Sequence, residues 1–553
     1  MFDSKKIFSS LTRLGTVPKI IINALVPIVI LLFAWYFELP AISIYSEQMW
    51  STLEFATVAT LVAHFLLFKK NALARINKRN VAPYVAIALI IPVVIVVGTV
   101  VSSKIFNAQK YATVIDIKES AFNEDMPKSD ATSVGNIALM DTDSAIIKGK
   151  TTLGSLSELV SQFRVNEQYS QINYQRTPQK VSNLEYDDFF KWINNKANGI
   201  PGYVMVDPVN NTAKYVKLDT PLKYVESGFF GDDLYRKLRF EYPTKIFGSV
   251  YFEIDEKGDP YYVVSCMEPK VGLFGAMDVA EVIIFNPVDG SSEKYKVDEN
   301  PYTWIDCVYT GNLACQKYDW YGTLSGGFIN SIIGNKDCKQ TTDDFGYLVI
   351  EDDVWYYTGV TSVTADTSNI GFILSNARTG EYKFYPVVGA EEHSAMGSAE
   401  GQVQEKGYKA SFPSLINVYG EATYIMVLKD VNGIVKLYAL VNVQNYSFAA
   451  TGVTQTEAFN AYKKLLVDNG ILSSESEEDD RPQAEIAVED VRVILVGGES
   501  VAYITAEDGK VYKGRIDLDE KLVLIRKGDK LLVSSYETEN EGIYMITSWS
   551  FAE

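Results

Sequence analysis

The sequence has very little histidine and none of the common catalytic motifs. It has two His among 553 residues, and it contains no Gly-x-Ser-x-Gly segment, so nothing indicates a serine hydrolase. The segment GLFGAM, residues 272–277, has the wrong glycine spacing for a phosphate-binding loop and no lysine after it. None of the pairs of acidic residues in the sequence follows the spacing of a calcium-binding loop. We therefore expect no catalytic, cofactor-binding or metal-binding residues, and we predict that the protein is not an enzyme.

One histidine lies beyond the apolar N-terminal region. His393 stands near Glu391, Ser394 and Ser398, residue types that a catalytic triad would use. Residues this close on one helix point in different directions, whereas a nucleophile, a base and an orienting group must converge. A surface or packing role for His393 is the better interpretation.

Cysteine is also scarce, and its spacing excludes two kinds of site. The four cysteines match neither a zinc ribbon nor a redox Cys-x-x-Cys pair. An even number outside the cytoplasm permits disulfides, and four cysteines allow three pairings. VYTGNLA reads as a turn between two of them, which could close a hairpin, but the sequence does not choose a pairing. The cysteines that could form a disulfide are Cys266, Cys307, Cys315 and Cys338.

Positive charge is lacking outside the N-terminal region. The chain carries a formal charge of −19, and residues 1–104 contribute ten Lys and Arg against four Asp and Glu, which leaves −25 for the remainder. An acidic domain does not bind nucleic acid or an anionic lipid surface through its charge. Solubility explains the charge most simply, and attraction of cations or of a basic partner is the alternative.

Three long apolar runs stand at the N-terminus. Residues 20–37, 52–68 and 82–103 each have the length of a helix that crosses a hydrocarbon layer of about 30 Å. A cleavable signal peptide is an alternative for the first run, but two further runs follow and no small-x-small cleavage site appears. We predict that residues 1–104 form a membrane anchor of three transmembrane helices.

The loops between these runs predict the orientation. Short segments rich in Lys and Arg stay in the cytoplasm, and two segments qualify, one before the first run and one between the second and third. The loop between the first two runs carries Glu38 and Glu47 and no basic residue. The N-terminus is therefore expected in the cytoplasm of a multi-pass cell-membrane protein, with everything after Lys104 outside the cell. The basic residues are Lys5, Lys6, Arg13, Lys19, Lys69, Lys70, Arg75, Lys78 and Arg79.

Residues 105–472 read as a β-rich α+β extracytoplasmic region. The 35 Tyr residues, together with Val, Ile and Asp-Gly or Asn-Gly turns, favour strands joined by tight hairpins. Ser182 and Glu185 form a capping-box pattern that predicts a helix over 182–195, and a second such pattern predicts one over 454–468. DTDSAIIKGKTTLG is expected to be a hairpin, and the segments LGSLSELVSQF and AEEHSAMGSAEGQVQEKG are expected to be helical. The expected hairpins are GYVMVDPVNNTAKYVKL, FEIDEKGDPYYVVS, VIIFNPVDGSSEKYKV, FILSNARTGEYKFYPV and YIMVLKDVNGIVKLYALV.

The C-terminal region is predicted to be separate. SSESEEDDRP, within residues 473–483, is an acidic run that we interpret as a solvated linker. Residues 484–553 contain five or six short β-like segments, VRVILVGG, SVAYITAED, KVYKGRI, KLVLIRK, KLLVSSYE and IYMITSWSF. Several short strands in a segment of this length are typical of a small OB-like or SH3-like barrel.

Two resemblances follow from these segments. Helix-and-hairpin units over 182–220 and 370–445 resemble the PepSY type, in which a helix rich in Ala precedes a small sheet with a VD-x-x-TG-like turn. Domains of that type are associated with inhibiting or chaperoning exported enzymes. PTKIFGSVYFEID, YTWIDCVY and YYTGVTSVTAD resemble large uncharacterised membrane-anchored proteins of Gram-positive bacteria. That resemblance implies an anchored ectodomain and no activity.

These observations lead to one functional expectation with two alternatives. We expect a non-enzymatic membrane-anchored binding or scaffold protein, with the lipid bilayer and further copies of itself as partners, and no nucleic acid. The first alternative is an accessory subunit or modulator of a transporter or exported enzyme, in contact with other membrane or exported proteins. The second is an enzyme that acts on the cell wall.

Overall fold

The computed structural model describes residues 15–68, 78–131, 133–472, 484–496, 499–516, 520–537 and 542–552. The chain forms two compact units, Met1–Tyr462 and Lys463–Glu553, which are described separately. The predicted acidic linker at 473–483 lies outside the described residues. So do most of the basic residues that predict the orientation.

The three predicted spans are helices that are long and apolar enough to cross a membrane. Their bounds are α1 Thr16–Phe37, α2 Glu47–Phe68 and α3 Lys78–Ser102. A fourth helix, α4 Lys104–Ala112, follows after a break at Ser103, whose backbone is extended. The Asn107 amide donates to the carbonyls of Val101 (2.6 Å) and Ser103 (3.1 Å), which satisfies carbonyl groups left without helical partners at the break.

A segment of short elements leaves the anchor. It contains β1 Ile117–Glu119, α5 Phe122–Asp125, β2 Lys128–Ser129, α6 Thr142–Gly154 and α7 Ser157–Val160. The hairpin predicted for DTDSAIIKGKTTLG is wrong, because this stretch is helix α6. The Asp141 side chain caps its start by accepting from the Ser144 N–H at 2.9 Å. Ala145, Gly149 and Leu153, four residues apart, are buried on one face, and this spacing requires a helix.

The first sheet follows. It is built from β3 Phe163–Val165, β4 Ser170–Tyr174, β5 Thr177–Tyr186, β6 Ile200–Asp207 and β7 Thr212–Leu222, in the order β3-β5-β6-β7 with β4 also paired to β5. Between β5 and β6 lies α8 Phe189–Asn195.

The helix predicted over 182–195 is wrong in its first half. Residues 182–186 belong to β5, and the helix begins only at Phe189, where Asp188 caps it by accepting from the Lys191 N–H. The Ser182 hydroxyl donates to the Asn166 carbonyl at 2.7 Å instead of capping a helix. Strand β5 is buried on both faces, so polar and apolar side chains along it are enclosed alike.

A second antiparallel sheet packs on the first. Its elements are β8 Ile246–Ile254, β9 Pro260–Val271, β10 Gly275–Phe285 and β11 Ser292–Lys296, preceded by α9 Leu234–Glu241 and followed by α10 Gly311–Leu324. The two sheets share one core, to which Tyr203, Leu184, Phe252, Val264 and Phe285 contribute. We call this pair of sheets the first sandwich.

The third and fourth sheets form a second sandwich around their own core. The elements that follow α10 are β12 Lys339–Thr341, β13 Gly346–Ile350, β14 Asp353–Ser362, β15 Ala365–Asn376, β16 Tyr382–Tyr385, β17 Gly389–Ala390, α11 Glu392–Gly401, β18 Lys409–Ala410, β19 Ser414–Val418, β20 Glu421–Lys429, β21 Val435–Asn442, β22 Ala449–Gly452 and α12 Gln455–Asp468. The third sheet has the order β1-β16-β15-β14-β12, and the fourth has the order β2-β19-β20-β21-β22. Tyr357, Phe372, Tyr424 and Met426 from the two sheets meet in the core of the second sandwich.

The five expected hairpins are confirmed as antiparallel pairs: β6–β7, β8–β9, β10–β11, β15–β16 and β20–β21. The expected helices near His393 and at 454–468 are confirmed as α11 and α12. Thr454 caps α12 by accepting from the Glu457 N–H at 3.1 Å, as the capping box predicts.

The segment that leaves the anchor is fastened to the second sandwich. Strand β1 pairs in parallel with β16, and β2 pairs in parallel with β19. The Asn417 amide donates to the Met126 carbonyl at 3.1 Å beside this second pair. The first residues after the membrane helices therefore become part of both sheets of the second sandwich.

The second unit contains five strands that pair in a closed order. They are β23 Ala484–Val496, β24 Glu499–Ala506, β25 Val511–Arg515, β26 Lys530–Glu537 and β27 Ile543–Phe551, in the order β23-β24-β25-β27-β26. The strand predicted for KLVLIRK is wrong, because its first residues belong to a 3-10 helix, Glu520–Leu524. Leu522 and Ile525 are both buried, and a helical turn brings residues three apart to the same side.

Candidate functional site

A cleft of about 660 Å³ lies between the two sandwiches. Its walls come from four parts of the first unit: residues 126–143 with β2 and the start of α6, strands β4 and β5, strand β13, and residues 410–416 around β19. The cleft thus exists because the segment leaving the anchor is fastened to the second sandwich while α6 packs on the first.

Lys180 lies at the inner wall of this cleft. It is on β5, directly opposite Gln171 of β4, and its side chain is only 3% exposed. Its ammonium nitrogen lies 5.1 Å from the centre of the Tyr347 ring, which also lines the cleft. Among the described residues no carboxylate and no hydrogen-bond acceptor contacts this nitrogen. A buried charge without an ion partner is costly.

Burial lowers the pKa of the Lys180 ammonium from 10.5 to about 8, and the charge of Asp141 partly opposes this effect. An amine with such a pKa is partly unprotonated near neutral pH, whereas an ordinary lysine is almost fully protonated there. The site therefore has two chemical capacities. The charged form attracts an anion, and the neutral form is a nucleophile toward a carbonyl group.

Asp141 cannot neutralise Lys180 because it is already bound. Its carboxylate pairs with the Lys429 ammonium, which also donates to the Ser144 hydroxyl at 2.8 Å. Burial alone would raise the pKa of Asp141, but Lys429 and the N–H and hydroxyl of Ser144 hold it below its usual value. The Asp141–Lys429 pair is thus internally balanced and leaves Lys180 with its charge.

Two buried acids lie behind the Lys180 wall, and both are bound to backbone. Glu253 accepts from the N–H groups of Asp306 (2.8 Å) and Cys307 (2.9 Å), and burial raises the pKa of Glu253 to about 7. Asp306 accepts from the Asn173 N–H at 2.6 Å, and burial together with the Glu253 charge raises its pKa. Glu253 binds the backbone of the loop before α10, and neither Glu253 nor Asp306 lines the cleft.

The four cysteines are free thiols in the structure. Cys266 lies on β9 and Cys315 within α10, so the turn expected between Cys307 and Cys315 is instead the start of a helix, capped by Thr310. Burial raises the pKa of the Cys266 and Cys315 thiols to about 12. Cys307 donates to the Gln171 carbonyl at 3.2 Å, behind the same wall of the cleft as Lys180.

His393 and its neighbours do not form a catalytic group. Glu391 caps helix α11 by accepting from the N–H groups of His393 and Ser394, and the Ser394 hydroxyl donates to the same carboxylate at 2.7 Å. The His393 ring is exposed and lies 6.4 Å from the Phe412 ring. In the part of the chain that the structure describes, no group of three His, Cys, Asp or Glu is arranged to hold a metal ion.

Sequence reasoning did not identify Lys180. It lies in TPQKVSNLEY, whose polar composition indicates an exposed segment. The enclosure of β5 on both faces depends on sheets and loops distant in sequence, so no local pattern marks this lysine as buried.

Comparisons with known proteins assign the chain to no family. No family model matches the chain, and no curated protein matches it. The function must therefore be argued from the geometry of the cleft.

Replacing Lys180 by Met should stabilise the protein at neutral pH. The variant keeps the aliphatic volume and removes the buried charge, whose cost corresponds to about 3 kcal/mol for a fall in pKa from 10.5 to about 8. A depressed lysine pKa costs stability fully below pH 8, and the cost disappears as the pH rises toward 10.5. We expect the Tm of Lys180→Met, followed by intrinsic fluorescence, to exceed that of the natural chain at pH 7 and to match it near pH 10.5.

Lys257→Met is the control, because Lys257 is exposed in the turn between β8 and β9. It should leave the Tm unchanged at both pH values. A Tm for Lys180→Met several degrees below that of the natural chain at pH 7 would show that the amine already has a stabilising partner.

Proposed function

We propose that this is a membrane-anchored binding protein whose cleft takes up a small organic anion with an apolar body. The observation that carries this proposal is the Lys180 ammonium, which is buried at the wall of a cleft large enough for a ligand and has no anionic partner among the described residues. An anion bound there offsets the cost of burying the charge.

The rest of the cleft supports an apolar body for the ligand. Leu139, Leu348, Phe345 and Phe412 line it, and ligand sites commonly combine such a lining with a few polar groups that fix the orientation. Lys180 would bind the anionic group, preferably a carboxylate. Three acidic side chains line the cleft. Asp141 is paired with Lys429, and Asp143 and Asp344 are exposed to solvent, where water and salt screen their charge.

A role in binding fits the chemistry better than catalysis does. Burial raises the pKa of the Cys266, Cys307 and Cys315 thiols, which makes them poor nucleophiles. The roles of accessory subunit, PepSY-like modulator and cell-wall enzyme stay predictions. Self-association of the chain also stays a prediction, which the mass of the detergent-extracted particle measures.

We place the cleft on the outer side of the cell membrane. The basic residues before α1 and between α2 and α3 favour this orientation. Helices α1 and α3 then cross the membrane in the same direction. Proteolysis of the domain on intact cells tests it, because an internal domain would be protected.

We also infer that the five-stranded C-terminal unit is of the OB type. The strand order supports this inference. Strands β25 and β27 pair in parallel, and β23 pairs with both β24 and β26. A short 3-10 helix precedes β26. A five-stranded barrel with this strand order is the OB arrangement. The barrel is proposed as an assembly module, since fold alone does not imply a ligand.

A fluorinated probe tests the proposed ligand class. 4-Fluorobenzoate joins a carboxylate to a small apolar ring, and its ¹⁹F resonance should broaden saturably when it is titrated with the full chain in lipid nanodiscs at pH 7. 4-Fluorobenzamide has the same ring without the charge, so it should bind at least tenfold more weakly, as expected when about 1.4 kcal/mol of charge pairing is lost.

Matched variants locate the binding. Lys180→Met should abolish the saturable broadening by 4-fluorobenzoate, whereas Lys257→Met should preserve it. Equal binding of the two probes to the natural chain, or unchanged binding of 4-fluorobenzoate to Lys180→Met, would contradict a site for anions at Lys180.

A further inference from the structure

Three loops of the domain outside the anchor carry large apolar side chains near the membrane helices. The apolar side chains of the first and third loops are exposed, and those of the second are half-buried. The Phe230 patch consists of Phe190, Ile193, Phe229, Phe230 and Phe240. The Phe274 turn consists of Leu273 and Phe274, between β9 and β10. The Ile333 segment consists of Ile329, Ile332 and Ile333, within and beside a π-helical turn that follows α10.

The Phe230 patch is tied to the end of α1. Arg236 stacks on the Tyr36 ring at 4.4 Å and donates to the carbonyls of Tyr36 (3.1 Å) and Phe230 (2.6 Å). The Phe240 ring stacks on Trp35 at 5.8 Å. Phe230 is nevertheless 53% exposed. The patch therefore lies at the level of the Trp and Tyr residues with which a membrane helix meets the lipid–water interface.

The Phe274 turn lies deeper. The Phe274 ring is so close to Gly98 that a Cβ on this glycine would approach within 2.6 Å of it. Gly98 precedes the end of α3 by four residues, which corresponds to about 6 Å along the helix. The backbone N–H groups of Leu273 (2.8 Å) and Phe274 (3.0 Å) donate to the Ser102 hydroxyl. A turn at the depth of the lipid chains cannot bond its backbone N–H groups to water, so they need acceptors within the protein, and Ser102 provides one.

The Ile333 segment follows α10, whose C-terminal end contacts the helix that continues from α3. Gln109 of α4 donates to the Ser325 carbonyl at 2.9 Å, and Tyr111 packs edge-on against Trp320 at 5.1 Å. The side chains of Ile329 and Ile333 are 74% and 80% exposed. Several large apolar side chains exposed close together indicate a site of contact with a protein or a membrane.

These three loops share one side of the membrane. Helices α1 and α3 cross in the same direction, so their C-terminal ends emerge together. The Phe230 patch contacts the end of α1 and the Phe274 turn contacts the end of α3. The Ile333 segment follows α10, which contacts α4 just after the end of α3. We propose that the Phe230 patch, the Phe274 turn and the Ile333 segment enter the headgroup boundary of the bilayer and seat the domain on the lipid surface. Charge is not the attraction, because the region outside the anchor carries −25. The lipid contact is apolar and should form on a zwitterionic bilayer.

Spin labels measure this contact directly. Phe230→Cys, Ile333→Cys and the control Val431→Cys are each labelled with a nitroxide in the full chain, in phosphatidylcholine nanodiscs that hold one chain. Val431 is apolar and 95% exposed in the turn between β20 and β21, and the labelled natural chain gives the background from the four native thiols. We expect the ratio of accessibility to oxygen over accessibility to a water-soluble nickel chelate to be several-fold higher at 230 and 333 than at 431.

Two results would overturn the proposal. In the first, positions 230 and 333 show the same ratio as position 431, which places them in water. In the second, their ratio rises above that of position 431 only in discs that hold two chains, with spin–spin broadening, which identifies a second copy as the partner instead of lipid.

Discussion

The parallel pairing of two very short strands determines how the first unit is arranged. Strands β1 and β2 come directly after the membrane helices, yet they complete sheets formed far along the chain, through β16 and β19. Each pairing closes a long loop, which has an entropic cost before any contact repays it. The pairing brings residues 126–143 between the two sandwiches, where they form a wall of the cleft. A ligand bound in the cleft would contact both sandwiches and would stabilise this arrangement by mass action.

The buried charged groups around the cleft are unequally paired. Each buried acid near Lys180 has another partner: Asp141 has Lys429, Glu253 has two backbone N–H groups, and Asp306 has one. The Lys180 amine is enclosed without a carboxylate of its own, and the nearby Asp141 charge offsets only part of the cost of burial. Natural proteins generally pair their buried charges, and exceptions to this rule occur mainly at functional sites. Among the charged side chains named here, Lys180 is therefore the group to which an anion would bind.

The sequence was sufficient for features that depend on local pattern. The three apolar runs predict α1, α2 and α3, the Asp-Gly and Asn-Gly turns predict the hairpins, and the Thr454 capping box predicts α12. Prediction failed where tertiary burial overrides local signals. Ser182 and Glu185 have the spacing of a capping box, but enclosure on both faces makes their segment a strand. The segment of α6 has a composition typical of turns and was predicted to be a hairpin, but Ala145, Gly149 and Leu153 form the buried face of a helix. Lys180 could not be found because its burial comes from elements distant in sequence.

The titration of Lys180 tests the central claim most directly. Reductive methylation with ¹³C-formaldehyde gives each lysine a resonance that follows its protonation, and Lys180→Met identifies the signal that belongs to residue 180. We predict that this signal titrates near pH 8, well below the exposed lysines, and that 4-fluorobenzoate moves its midpoint upward because a bound anion favours the charged form. A midpoint near 10.5 that 4-fluorobenzoate leaves unchanged would contradict an uncompensated amine in the cleft.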